Sequence, residues 1–143
     1  MPEPSSLDPR SSSAAQAARR PLRVLIADDD RDNVLMLTEV LRDEGHDTKG
    51  VYDGDAVLDA VTHFKPDAVL LDIGMPQRTG YELARYLRKR FGAGITLIAV
   101  TGWSKPSDKI LAALAGFDHH IAKPYEPRAL VELLGNLTPR IEP

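Results

Sequence analysis

The sequence contains no cysteine, which removes disulfides, zinc–thiolate sites and thiol chemistry together. It also lacks any apolar run long enough to span a bilayer, its longest runs having the length of single buried strands. Charge of one sign is scarce: 18 basic against 21 acidic residues leave a net charge of -3, no general attraction for nucleic acid or an anionic membrane. Nor does the N-terminus carry the apolar core of a secretory signal, since Ser5 to Arg20 is polar and alanine-rich. These absences predict a cytoplasmic protein with neither nucleic acid nor membrane among its partners.

What is present fits one globular domain: 143 residues, 43% of them hydrophobic and 27% charged. Residues 1–20 are rich in Pro, Ser and Ala and hold one isolated leucine, Leu7. Too little apolar surface is available there to offset the entropy of ordering, so a disordered tail is expected, its Arg19 and Arg20 serving solubility. The domain is expected over 21–143.

Within it, short apolar runs alternate with helical periodicity. Arg23 to Ala27, Ala68 to Leu71 and Ile95 to Val100 read as buried strands; His46 to Val51 and His120 to Ala122 are weaker ones. Between them lie apolar stripes at helical spacing: Val34, Leu37, Val40 and Leu41; Val57, Leu58 and Val61; Leu83, Ala84, Leu87 and Phe91; Ile110, Leu111 and Leu114; Leu130, Leu133, Leu134 and Leu137. Thr79 and Glu82 have the spacing of a capping box, and Pro127 suits a first helical turn. Strand and helix alternating five times predict an α/β fold, a doubly wound parallel sheet of flavodoxin-like topology with strand order 2-1-3-4-5.

Ligands of such folds bind beyond the carboxyl ends of the strands. The residues at those ends are Asp28, Asp29 and Asp30, then Asp72, Thr101 and Lys123. Carboxylates held together repel, and a divalent cation or a shared proton relieves them. An all-oxygen site suits magnesium or manganese. A divalent ion, a lysine and a hydroxyl make a cradle for a phosphoryl group, in which a carboxylate can act as nucleophile. Asp72 fits that role best, because it ends the most apolar strand.

Leu25-Ile26-Ala27-Asp28-Asp29-Asp30, Leu70-Leu71-Asp72-Ile73-Gly74-Met75-Pro76, Ala99-Val100-Thr101-Gly102 and Lys123-Pro124 resemble, in order and spacing, the signatures of response-regulator receiver domains. The resemblance covers roughly Pro21 to Asn136. It implies a two-component phosphorelay in which Asp72 takes a phosphoryl group from a phosphohistidine on a sensor histidine kinase or a histidine phosphotransfer protein. It implies further that Asp28, Asp29, Asp72 and the backbone carbonyl of Gly74 hold magnesium, with Asp28 acting more through water. Lys123, before a cis proline, pairs with Asp72 and then with the phosphoryl oxygens. Thr101 bonds the phosphoryl group and, with His120, forms the switch, and output to a downstream protein leaves through the fourth helix, fifth strand and fifth helix. Two positions depart from the commonest pattern: His120 stands where Tyr or Phe is usual, and Gly74 where some members carry Asn. The stretch Ala113 to Tyr125 resembles receivers of hybrid histidine kinases, so a stand-alone regulator and a piece of a larger kinase both remain open.

Other readings compete. Asp28 to Asp30 could be only an N-cap cluster, which suits Asp30. Asp72 and Thr101 could form turns, and Lys123 could be a surface lysine. His119 and His120 point to opposite faces of a strand and cannot easily share an ion. Trp103 could be a lid or a partner contact, while Arg85, Arg88, Lys89 and Arg90 read as a solvated helix face. An aspartyl-nucleophile phosphatase would want a second carboxylate where Gly74 stands, a pseudo-receiver would have lost an acid or the lysine, and three aspartates would repel the phosphate of FMN. The expectation is therefore a switch that catalyses only its own phosphorylation and dephosphorylation.

Overall fold

A computed structural model describes residues 21–75, 79–102 and 106–137. The expected tail at 1–20 and the readings of Pro76 and Trp103 lie outside the described residues. In chain order the elements are β1 (Arg23–Ala27), α1 (Arg31–Asp43), β2 (Asp47–Val51), α2 (Gly54–Phe64), β3 (Ala68–Asp72), α3 (Gly80–Phe91), β4 (Thr96–Thr101), α4 (Pro106–Ala115), β5 (His119–Ala122) and α5 (Pro127–Gly135). The strands form one parallel sheet in the order β2-β1-β3-β4-β5, as the alternation of elements predicts.

Two cores flank the sheet because successive strand residues face opposite ways. Leu25, Ala27, Val69, Leu71, Leu97 and Ala99 meet Val57 and Val61 of α2, Leu83 and Leu87 of α3, and Ala112 and Ala115 of α4. Val24, Ile26, Ala68, Leu70, Ile98 and Val100 meet Val34, Leu37 and Leu41 of α1 with Leu130 and Leu134 of α5. Each fully buried Leu, Ile or Val contributes about 1.5–3 kcal/mol relative to exposure.

The helices start where their caps dictate. Asp30 accepts the Asn33 N–H at 3.2 Å and Asp53 the Ala56 N–H at 2.8 Å. Thr79 and Glu82 close the expected capping box. Gly80 is required at the start of α3, where a Cβ would lie 2.7 Å from Ile73 Cα. This close approach holds the chain that leaves β3 against α3.

Two expectations need correction. Helix α4 forms, but its three largest apolar residues do not face the core: Ile110, Leu111 and Leu114 are 61%, 50% and 77% exposed, while Ala112 and Ala115 are buried. The small side chains let α4 lie close to the sheet, so the helix is rotated with its bulk outward. Arg88 is no solvated residue either. It donates to the carbonyls of Gly92, Ile95 and Gly116 and to Asp118 at 2.6–3.1 Å. Charge spacing on a helix cannot show that unpaired carbonyls from two later turns converge on one of its four basic side chains.

Candidate functional site

All five strands run the same way, so their carboxyl ends share one edge of the sheet. Asp28 follows β1, its N–H held by Val51 O at 3.1 Å. Asp72 is the last residue of β3, opposite Val100, and Thr101 the last of β4. Lys123 follows β5, its N–H bonded to Thr101 O at 2.7 Å, and the Lys123–Pro124 peptide is cis.

The sheet thus gathers residues 95 positions apart. Asp28, Asp29 and Asp72 each offer a carboxylate oxygen, and these oxygens lie within 4.8 Å of one another. Asp28 and Asp72 are buried and Asp29 is exposed, which leaves the cluster one open side. The Lys123 ammonium stands 3.3 Å from Asp28 Oδ2 and 3.4 Å from Asp72 Oδ2. Both contacts are longer than a single charge-assisted hydrogen bond prefers, as suits one cation shared between two anions.

The two buried acids differ in what else they hold. Asp28 Oδ1 accepts the Asp30 N–H at 2.9 Å, and its Oδ2 accepts the Asn33 side-chain amide at 2.9 Å. Asp72 has one backbone donor, the Gly74 N–H, at 3.0 Å. Burial pushes both carboxyls up. At Asp28 the Asp30 and Asn33 donors, together with Asp72 and Lys123, outweigh it and hold the group below its ordinary value. At Asp72 burial and the neighbouring Asp28 charge win over Gly74 and Lys123, and the group titrates above its ordinary value. Lys123 loses to burial but gains more from Asp72 and Asp28, so it titrates high.

Such a set fits a hard divalent cation: oxygen donors only, two of three buried, and an excess negative charge that one ammonium does not cancel. Gly74 is exposed beside Asp72, and a Cβ there would lie 3.7 Å from Asp72 Oδ1, so this position looks directly at the carboxylate. Thr101 is buried at the same edge. His120 is half-buried on β5 opposite Ala99, and its Nε2 has no partner among the described residues. Asp30 caps α1, as expected of it.

Sequence reasoning missed Asn33 and Tyr125. Both line a cavity of about 510 Å³ beside Lys123, together with Asp30, Met36, Gly102 and Pro124. The signal for Asn33 was an amide one turn into a helix whose cap adjoins the acids.

The family described as response regulator receiver domain matches residues 24–135. The chain is 39% identical over 109 residues to the DNA-binding response regulator MtrA of Mycolicibacterium paratuberculosis, a match that covers 76% of this chain and 48% of that protein. The MtrA of Mycobacterium leprae matches to the same extent. The chain therefore spans about half the length of the curated relatives it matches. Among solved structures, a CheY-like receiver domain protein from Methanospirillum hungatei JF-1 superposes with a TM-score of 0.75 at 29% identity, covering 80% of this chain and 91% of the other. The Francisella response regulator 1452 receiver domain gives 0.75 at 26% identity, covering 79% and 93%.

These relatives correct one expectation. Nucleic acid was excluded from the partners on net charge, yet the matched regulators are DNA-binding by name. Net charge describes the field of this stretch alone, whereas the match takes in only half of each regulator. No helix among the described residues is long and apolar enough to cross a membrane. The chain belongs to the response regulator receiver domain family.

Proposed function

We propose that Asp72 accepts a phosphoryl group from a phosphohistidine donor in a magnesium-dependent reaction. In the transfer the donor's N–P bond breaks, its electron pair stays on the imidazole, and a bond forms between Asp72 carboxylate oxygen and phosphorus. The observation that carries this reading is the convergence of Asp28, Asp29 and Asp72 oxygens within 4.8 Å, with Lys123 bridging Asp28 and Asp72.

Asp28, Asp29 and Asp72 would hold the ion, with the Gly74 carbonyl as a further contact. Once bound, it supplies positive charge against the acid cluster and the phosphoryl oxygens. Lys123 pairs with Asp72 before transfer and turns to a phosphoryl oxygen after it. Thr101, at the adjoining strand end, donates its hydroxyl to another and, with His120 behind it on β5, forms the switch. The chain catalyses only the phosphorylation and dephosphorylation of its own Asp72. By likeness to the DNA-binding regulators, the output of the switch reaches DNA.

The test is intact-mass measurement after incubation with acetyl phosphate. The expected result is a gain of one phosphoryl group with magnesium, none with chelator, and none in Asp72→Asn. Labelling that survives in the variant would remove Asp72 from the role.

A further inference from the structure

Asn33 stands in the first turn of α1, five residues after Asp28, with its own N–H tied to the Asp30 cap at 3.2 Å. From that fixed position its amide reaches back to Asp28 Oδ2 at 2.9 Å, closer than the 3.3 Å of Lys123 Nζ to the same oxygen. The other oxygen of Asp28 is held by the Asp30 N–H at 2.9 Å. A buried carboxylate is thus pinned through both oxygens by one cap unit, Asp30 with Asn33, and further touched by a lysine it shares with Asp72.

The two side-chain donors on Asp28 Oδ2 are not equivalent. Lys123 is divided between two acids, and in the reaction proposed above it follows the incoming phosphoryl group. Asn33 is fixed in the first turn of α1 and does not follow an incoming group, so it is the side-chain donor that stays on Oδ2 when the lysine leaves. An orienting partner of this kind fixes the rotamer of a ligating carboxylate without meeting the ion.

We propose that Asn33 is a positioning residue for the divalent cation, holding the Asp28 carboxylate in the orientation in which Asp28, Asp29 and Asp72 share one ion. Asn33 touches neither the ion nor the phosphoryl group. This inference rests on the magnesium-dependent phosphoacceptor reading. It adds a residue whose loss is felt in metal affinity more than in transfer.

The experiment compares the full chain with Asn33→Leu, which keeps the branched side-chain shape and removes the donor. Asn33→Ser serves as a second variant, its short hydroxyl compatible with a first helical turn. Thermal unfolding checks that both fold. Magnesium is titrated calorimetrically, and acetyl phosphate labelling rates are measured across magnesium concentrations. The expected result is a magnesium Kd raised about tenfold in both variants, with the labelling rate at saturating magnesium within about twofold of the wild type. An unchanged Kd overturns the proposal. So does a collapsed saturating rate with unchanged Kd, which would place Asn33 at the phosphoryl group or the donor instead. A wild-type chain that neither binds magnesium nor accepts phosphate would fail one level lower, at the phosphoacceptor reading, and remove the cation that Asn33 is to position.

Discussion

The two rims of the sheet use the same kinds of residue to opposite ends. At the rim where the strands begin, each charge named here has its partner. Arg23 donates to Phe64 O at 2.8 Å and to Asp47 at 3.0 Å, and stacks on the Phe64 ring. Asp67 accepts the Arg23 N–H, and Asp118 accepts both Arg88 and the Leu97 N–H. At the rim where the strands end, Asp28 and Asp72 share one lysine with Asp29 close beside them, and a buried carboxyl is held above its ordinary value. The first arrangement closes the fold, whereas the second stores repulsion that a cation or a phosphoryl group can relieve. A buried charge stabilises when its donors are complete and destabilises when another charge stands in their place.

The difference predicts opposite signs for removal of a charged side chain. The largest effect belongs to Arg88, which joins α3 to the turns before β4 and β5. In Arg88→Ala the Gly116, Gly92 and Ile95 carbonyls and Asp118 lose their shared donor. A loss of about 2–4 kcal/mol is expected by urea unfolding, because partly buried acceptors are left unmade. A change below about 0.5 kcal/mol would reduce the network to surface decoration.

At the other rim, Asp72→Asn should stabilise. The folded pKa of Asp72 lies above its ordinary 3.8, so its contribution is present below that value and is lost as pH rises through the folded pKa. At neutral pH the metal-free fold therefore carries an ionised carboxylate it disfavours, and an amide cannot ionise. With chelator at pH 7, the variant is expected to melt a few degrees higher, on the order of 1 kcal/mol. Magnesium should then raise the wild type and close the gap. A variant that melts lower would show the Lys123 attraction outweighing the repulsion from Asp28.

The functional rim was the more legible of the two in sequence. Short apolar strands ending on Asp28, Asp72, Thr101 and Lys123 announce themselves, because strand ends in a parallel sheet must meet, and the spacing needs no side-chain detail. The observed boundaries differ from expectation by a residue: β2 starts at Asp47 and β5 at His119. The opposite rim was nearly silent. Arg88 looked like its neighbours Arg85, Lys89 and Arg90, since its partners at Gly92, Ile95, Gly116 and Asp118 are set by how turns fold back. Asn33 was hidden for the same reason, its contact being with a residue outside its own helix. Helix α4 misled through its composition: a stripe of Ile110, Leu111 and Leu114 marks a helix but does not say which face the sheet selects.

The smallest expected effect is also at the closed rim, where His46 accepts the Leu22 N–H on Nδ1 at 3.0 Å. An imidazole accepting on Nδ1 must be neutral there, and a proton on that nitrogen would set two donors face to face. Burial pushes its pKa down, with Glu44 only partly offsetting the shift. The stability that follows is present above the ordinary value of 6.5 and is lost as pH falls through the lower folded pKa. His46→Gln keeps an acceptor and removes the titration. Between pH 7.5 and 5.0 the wild type should therefore lose stability relative to this variant, by under about 1 kcal/mol. Urea midpoints of the two proteins compared at both pH values isolate this from the acid cluster, which titrates identically in each. Parallel pH profiles would mean that the Leu22 N–H bond to Nδ1 contributes no stability that protonation can remove, so that this contact is insensitive to acid.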